Sequence, residues 1–155
     1  MKKHLIIGNP ISHTLSPKLH NYWFKENRIN GKYDKVLLKE NEIESLIKKI
    51  KIKELHGMNV TVPFKQIVIP YLESLSETAK ITNSVNTIFN KDGKIHGENT
   101  DVFGFQKSLS SQNINLKNKD VFIFGAGGVV PSIILALTNL NTKKIYLSNR
   151  TLKNA

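Results

Sequence analysis

The chain lacks cysteine, and this absence excludes a disulfide framework, a thiolate nucleophile and any cysteine-ligated zinc or iron–sulfur site. It has no apolar run near the roughly 20 residues that span a bilayer, and its apolar start is too short for a signal peptide. We therefore expect a cytoplasmic protein with no membrane partner. The histidines at positions 13, 20, 56 and 96 show no metal-ligand spacing, so we expect no metal site.

Arginine is scarce as well, although the formal net charge is +11. Arg28 and Arg150 are the two arginines among 23 basic residues, and the 21 lysines are spread along the whole chain. Nucleic-acid sites favour clustered arginines with aromatic residues between them, so we expect no nucleic-acid partner. The lysine excess accompanies many isoleucines and asparagines, which is typical of an AT-rich genome, and it implies no more than a weak preference for anions.

Strand-like and helix-like segments alternate along the 155 residues, of which 39% are hydrophobic. Buried strands are predicted at 5–8, 33–38, 57–62, 85–89, 94–96, 121–124 and 145–148. Helices are predicted at 16–27, 42–54, 64–72, 76–81, 101–110 and 129–140. Leu19, Trp23 and Phe24 are expected on the inner face of the first helix, and Asp92 and Gly93 in a hairpin turn. The alternation indicates the α/β class.

A polar stretch at 111–118 marks the predicted boundary between two domains, residues 1–112 and residues 113–155. The second begins with a strand, a glycine turn, a helix and a strand, which together make one βαβ unit. A mononucleotide-binding half needs three strands and two helices, so we expect this sequence to be the N-terminal fragment of a longer protein.

The glycine turn of this βαβ unit consists of Gly125, Ala126, Gly127 and Gly128. Such a turn lets the backbone approach a dinucleotide pyrophosphate at a helix N-terminus, although Val130 stands where the pattern G-x-G-x-x-G has its third glycine. The second strand ends in Asn149, Arg150 and Thr151, with no acidic residue to bind a ribose 2′-hydroxyl. Because a guanidinium suits a 2′-phosphate, NADP is favoured over NAD.

Polar side chains also gather after the strands of the first part. Asn59 and Thr61 lie on one side of a predicted strand, and Lys65 follows at its carboxyl end as a candidate proton donor. The segments 83–87 and 98–101 bring amides and the Asp101 carboxylate to similar positions. In a chain with 21 lysines each feature alone is ordinary, so their co-occurrence carries the prediction.

Six blocks of the sequence resemble those of the shikimate dehydrogenases, in the same order and spacing. They are GNPISHTLSP at 8–17, NVTVPFK at 59–65, NSVNT at 83–87, NTDVFG at 99–104, GAGG at 125–128 and NRT at 149–151. The resemblance implies an N-terminal α/β substrate-binding domain followed by the first βαβ unit of a Rossmann NADP-binding domain. It also implies reversible NADPH-dependent reduction of 3-dehydroshikimate to shikimate, in the shikimate pathway to chorismate and the aromatic amino acids.

The resemblance also implies residue roles. The hydroxyls of Thr14 and Ser16 would hold the substrate carboxylate, while Thr61, Asn86 and Asp101 would contact the substrate hydroxyls. Lys65 and Asp101 would form the catalytic pair, with the ammonium stabilising and protonating the alkoxide that hydride transfer creates. The family's second basic residue before the alanine matching Ala155 is replaced by Asn154, which leaves the phosphate contact to Arg150, with Lys153 as a substitute.

Two alternatives remain open. The first is a quinate or dual quinate/shikimate dehydrogenase. Shikimate and quinate are similar, so a change of one methyl group in the substrate site, such as Thr14 where the family usually has serine, can shift the preference between them. A non-catalytic binding module would follow if the fragment acts alone, and we expect the fragment itself to be inactive as a dehydrogenase. The sequence leaves the oligomeric state at monomer or homodimer.

Overall fold

The computed structural model describes residues 1–151 as a mixed α/β molecule. The strands are β1 Lys2–Gly8, β2 Gly31–Leu37, β3 Gly57–Val60, β4 Ser74–Leu75, β5 Thr87–Lys91, β6 Lys94–Glu98, β7 Asp120–Phe124 and β8 Lys144–Ser148. The helices are α1 Ser16–Glu26, α2 Ile43–Lys51, α3 Phe64–Ile67, α4 Glu77–Thr82, α5 Asp101–Ser111 and α6 Val130–Asn139. Single 3₁₀ turns lie at Glu40–Glu42 and Ile69–Tyr71.

Two sheets organise these elements. The first has six strands in the order β2-β1-β3-β5-β6-β4, with β1 parallel to β2 and β3, and β5 antiparallel to β3 and β6. The second pairs β7 and β8 in parallel, joined by α6. The predicted α/β class, with a βαβ unit at its end, is confirmed. The first sheet with α5 ends at Ser111 and the second starts at Asp120, so the boundary at 112/113 falls between them and stays a prediction.

The main core lies between α2 and the first sheet. Ile43, Leu46, Ile47 and Ile50 are all buried, as their helical spacing in the sequence predicts. They pack with Ile7 of β1 and with buried side chains of β3, β5 and β6, including Met58, Val60, Ile88 and Ile95. The core therefore fixes the central strands whose carboxyl ends carry the polar residues.

Helix α1 docks differently from the prediction. Leu19 and Trp23 are each 46% exposed, so their placement on an inner face is wrong, and Phe24 alone of the three is partly buried. The contact is polar instead: Asn21 Nδ2 donates to the Tyr33 carbonyl at 2.7 Å, and Tyr33 N donates to Asn21 Oδ1 at 2.9 Å. Because β2 is an edge strand, Asn21 satisfies backbone groups that face away from β1.

The other differences are local. The helical piece predicted at 64–72 ends at Ile67, and Pro70 lies in a 3₁₀ turn, since proline cannot donate in a helix interior. Strand β4 was not predicted because two residues carry no periodicity. The turn at Asp92 and Gly93 is confirmed, with φ of +51° and +82°.

Apolar side chains are exposed on one face of the second sheet. Phe122 and Phe124 are 64% and 85% exposed, and Phe122 stacks on Tyr146 with ring centroids 4.6 Å apart. The opposite face carries Val121, Ile123, Ile145 and Leu147, which alternate with them and are partly buried. Among residues 1–151, none of the helices has the length and apolar character needed to cross a bilayer.

A group of histidines lies between α1 and the first sheet. The ring of His20 stacks on Tyr33 at a centroid distance of 4.1 Å, and His4 lies beside Phe24 and His56. Burial lowers the pKa of His4, and the neighbouring His56 and His20 lower it further. Burial also lowers the pKa of His20. Both imidazoles are thus disfavoured as cations in the folded protein.

We expect the free energy of unfolding to fall as the pH decreases below about 6.5, the ordinary imidazole pKa. The unfolded chain binds protons at His4 and His20 at that pKa, whereas the folded chain binds them at lower pH, so acid favours the unfolded state. Urea unfolding at about pH 7.5 and about pH 5.5 measures this loss. The double variant His4→Gln, His20→Gln should lose less stability over that interval than the exposed-site control His13→Gln, and an equal loss would contradict the assignment.

Candidate functional site

An ion pair lies at the carboxyl end of β3. Lys65 belongs to the short helix α3 that follows this strand, and Asp101 is the first residue of α5. Lys65 Nζ is 2.6 Å from Asp101 Oδ2, and the two side chains are 14% and 23% exposed. The structure therefore brings together the two residues predicted as a catalytic pair, in surroundings where water screens their charges less than at the surface.

Asn86 holds the other side of the Asp101 carboxylate. Its Nδ2 donates to Asp101 Oδ1 at 2.8 Å and to Thr100 Oγ1 at 2.9 Å, and its Oδ1 accepts from Thr100 N at 3.0 Å. Both oxygens of Asp101 thus have partners, Lys65 on one and Asn86 on the other. The carboxylate is fixed in orientation, and it holds the ammonium at one position.

Thr14 and Ser16 form a pair of hydroxyls in the loop after β1. Thr14 Oγ1 donates to Ser16 Oγ at 3.1 Å and accepts from Ser16 N at 3.3 Å. Because β1 and β3 are parallel neighbours, this loop and the one leading to Lys65 leave the same edge of the sheet. Asn9 N joins the two loops by donating to the Val62 carbonyl at 2.9 Å.

Thr61 lies directly after β3, where its amide donates to the Ile7 carbonyl at 2.9 Å. Its methyl group approaches the β1 backbone so closely that a Cβ placed on Gly8 would lie 2.5 Å from Thr61 Cγ2 and 2.9 Å from Ile11 Cδ1. Glycine at position 8 is therefore required for the two strand ends to pack together. No hydrogen bond between described residues joins Thr14, Ser16 or Thr61 to the Lys65–Asp101 pair.

Two further residues support the site without having been predicted for it. Asn59 Nδ2 donates to the Asn86 carbonyl at 3.1 Å and to Thr87 Oγ1 at 3.0 Å, and its Oδ1 accepts from the Tyr33 hydroxyl at 2.6 Å. Burial raises the pKa of Tyr33, which keeps this hydroxyl a donor. The strand alternation placed Asn59 on the polar side, but nothing in the sequence connects it to Tyr33, 26 residues away.

The glycine turn connects β7 to α6. Gly125 has φ of +104°, a conformation suited to glycine, and its amide donates to the Ser148 carbonyl at 2.7 Å. A Cβ on Gly127 or Gly128 would meet no atom within 4 Å, so the space beside both glycines is open. Packing within the described residues therefore does not explain these two glycines, whereas the close approach of a ligand to the backbone would.

Asn149 anchors this turn to the end of β8. Its Oδ1 accepts from Ala126 N at 3.2 Å, and its Nδ2 donates to the Thr151 carbonyl at 2.7 Å. Arg150 and Thr151 are exposed, so the guanidinium is accessible to an anion near the turn. Lys153, which was named as a substitute contact, lies outside the described residues.

A cavity of about 700 Å³ lies between Lys65 and the glycine turn, and Thr14, Ser16, Thr61, Asn86 and Asp101 are not among the residues that line it. One wall contains Val62, Pro63, Lys65 and Gln66, and the other contains Ala126, Gly127, Gly128, Val130, Pro131, Ile134 and Leu147. The predicted catalytic lysine and the glycine turn therefore face a common space. Clefts of this size, with apolar walls and a few charged or polar groups, are typical of small-molecule sites.

Known proteins are similar to this chain in sequence and in fold. The family model described as the shikimate dehydrogenase substrate binding domain matches residues 6–88. A shikimate dehydrogenase (NADP(+)) of Pelagibacter ubique is 57% identical over 150 residues, which cover 97% of this chain and 57% of the relative. One from Clostridium beijerinckii is 39% identical over 148 residues, covering 96% and 55%. This chain spans just over half the length of these relatives.

Solved structures match as well. The crystal structure of shikimate dehydrogenase from Aquifex aeolicus superposes with a TM-score of 0.92 at 36% identity, covering 99% of this chain and 57% of that one. The structure of the Thermus thermophilus enzyme in complex with NADP(H) and shikimate gives a TM-score of 0.90 at 28% identity, covering 100% and 58%.

The variant Gly125→Ala should lower the free energy of unfolding by about 1–3 kcal/mol, because an L side chain is strained in the backbone conformation of this residue. Gly128→Ala is the matched control in the same turn, with open space around the added methyl group, and should change stability by no more than about 0.5 kcal/mol. Urea unfolding of both variants measures the difference, and equal losses would contradict this account of the turn.

Proposed function

Because the protein belongs to the shikimate dehydrogenase substrate-binding-domain family, we propose that it serves NADP-dependent reversible reduction of 3-dehydroshikimate to shikimate. The observation that carries this proposal is Lys65, which pairs with Asp101 and lines a cavity together with the glycine turn. The chain spans 57% of its Pelagibacter relative, so the complete reaction is proposed for a protein of the relatives' length. We propose the cytoplasm as its location and a monomer or homodimer as its state.

Substrate recognition is assigned to the edge where β1 and β3 end. The hydroxyls of Thr14 and Ser16 lie 3.1 Å apart and are suited to hold the two oxygens of a carboxylate. Thr61, Asn86 and Asp101 offer neutral and charged polar groups to the substrate's ring hydroxyls. Thr14, Ser16, Thr61 and Asp101 follow strands of one sheet, and Asn86 directly precedes β5, which is antiparallel to β3. These groups therefore lie at one edge of the sheet, where a rigid ring molecule can meet them together.

The reaction at the carbonyl needs one hydride and one proton. NADPH, when bound, supplies the hydride to the carbonyl carbon and becomes NADP⁺. The Lys65 ammonium stabilises the negative charge that develops on the carbonyl oxygen and gives this oxygen a proton, which solvent later returns to the lysine. Asp101 orients the ammonium through their hydrogen bond, while Asn86 keeps the carboxylate in place.

The residues around the glycine turn fit a dinucleotide. The open space beside Gly127 and Gly128 admits a pyrophosphate close to the backbone, at the start of the ten-residue helix α6. Arg150 is exposed at the end of β8, where a 2′-phosphate would meet it, and no acidic residue stands there to bind a free ribose hydroxyl. These features support NADP rather than NAD.

We expect shikimate to bind this chain saturably in a calorimetric titration. The variant Lys65→Met should weaken binding roughly 10- to 100-fold, because a hydrogen bond from a charged group contributes about 1.5–3 kcal/mol. Lys80→Met is the matched control, since Lys80 is an exposed lysine paired with Glu77 on α4.

Quinate titrated in parallel separates the substrate alternatives, and tighter binding of quinate than of shikimate would favour the quinate dehydrogenase reading. Failure of shikimate to bind the folded chain would contradict the proposed substrate. Binding that is unaffected by Lys65→Met would contradict the role of the lysine.

The chain should bind NADP⁺ more tightly than NAD⁺. Arg150→Ala should reduce this preference about tenfold, because the guanidinium contacts the additional phosphate of NADP⁺. Arg28→Ala replaces the other arginine, far from the glycine turn in sequence, and should leave the preference unchanged. The ratio of the two dissociation constants is the measurement. An unchanged ratio in Arg150→Ala would contradict the assignment of Arg150.

A further inference from the structure

Asn99 lies between the end of β6 and the start of α5 and is 3% exposed. Its Oδ1 accepts a hydrogen bond from the backbone amide of Asp101 at 3.0 Å. Since Asp101 is the first residue of α5, this contact fixes the backbone from which the carboxylate projects toward Lys65. Among the described residues, the side chain of Asn99 makes no hydrogen bond to the side chain of Lys65 or Asp101, and it acts through the backbone of Asp101.

The amide nitrogen of Asn99 connects this point to α6. Its Nδ2 lies 2.9 Å from Thr82 Oγ1, 3.0 Å from the Ser84 carbonyl and 2.9 Å from Ser132 Oγ. Ser132 is fully buried in the first turn of α6, directly after the glycine turn. A single buried amide thus joins the start of the helix that carries Asp101 to the start of the helix that follows Gly125–Gly128.

The hydrogen bonds of the Asn99 side-chain amide are buried, so they depend strongly on the positions of their partners. Two amide protons serve three acceptors, and a displacement of α6 would leave Ser132 without this partner in a place that water does not reach. A second contact between the helices, from Gln106 Nε2 to the Ala136 carbonyl at 3.3 Å, is partly exposed and lies farther along both helices. Asn99 holds the amide of Asp101, and Ser132 directly follows Pro131 of the cavity wall, so the Asn99–Ser132 contact connects the start of α5 to that wall.

We propose that Asn99, through Ser132, is a positioning residue that couples the position of α6 and its glycine turn to the Lys65–Asp101 pair. Binding of substrate at the ion pair then restrains the nucleotide-side helix, and nucleotide binding restrains the ion pair in return. This inference rests on the proposed function, since it assigns shikimate and the dinucleotide to the two sides of the link.

Hydrogen–deuterium exchange of this chain, with and without saturating shikimate, tests the coupling. In the unaltered protein shikimate should slow amide exchange in α5 and also in α6, by about fivefold or more. The variant Ser132→Ala should keep the protection of α5 and lose that of α6, with shikimate affinity changed by less than about threefold, because Asn99 retains two acceptors. Thr138→Ala removes an exposed hydroxyl from the same helix and should behave as the unaltered protein.

The possible results test the coupling and the proposed function separately. Shikimate binding without protection of α6, or equal protection of α6 in Ser132→Ala, would overturn the coupling and leave the proposed function standing. Absence of shikimate binding to the folded chain would contradict the proposed function, and the coupling would fall with it. A loss of stability alone would lower α6 protection equally with and without ligand, so the ligand-dependent difference isolates the coupling.

Discussion

The arrangement of this site depends on keeping a partly desolvated ammonium and a carboxylate in contact. Lys65 and Asp101 come from different elements, 36 residues apart, and each would be an uncompensated charge without the other. Their 2.6 Å contact requires that α3 start where β3 ends and that α5 start where β6 ends, both at one side of the first sheet. The buried core beneath α2 holds those strands in place, so the packing of the domain also determines where the two charges lie.

Much of the fold could be predicted from the sequence because its signals are local. The spacing of Ile43, Leu46, Ile47 and Ile50 marks one face of α2, and the dipeptide at 92–93 marks a turn with positive φ. Leu19 and Trp23 show the limit of the same reasoning. Their spacing suits an amphipathic helix, but α1 meets an edge strand through Asn21, and this polar contact depends on a backbone that the local sequence does not describe.

The residues of the site also fall into those that the sequence predicted and those that it did not. Lys65, Asn86 and Asp101 stand at strand ends, where periodicity and the resemblance both placed polar groups, and the structure joins them by hydrogen bonds. Asn59 and Asn99 could not be assigned roles from the sequence. Apart from the Asp101 amide, their partners lie 15 to 33 residues away in the sequence, including Tyr33 for Asn59 and Ser132 for Asn99, and such pairings follow from the completed fold. An isolated asparagine in a sequence is ordinarily a turn or surface residue.

Three asparagines hold the ion pair in position, either directly or through a neighbouring residue. Their side chains are neutral, which explains why this residue type suits these positions. Each side-chain amide both donates and accepts, so Asn59, Asn86 and Asn99 can join backbone groups, hydroxyls and a carboxylate without adding charge. A lysine at these places would compete with Lys65 for Asp101, and a carboxylate would compete with Asp101 for Lys65. Neutral amides fix the geometry and leave the electrostatics of the site to the ion pair, which is what the proposed role of Lys65 as a proton donor to a developing alkoxide requires.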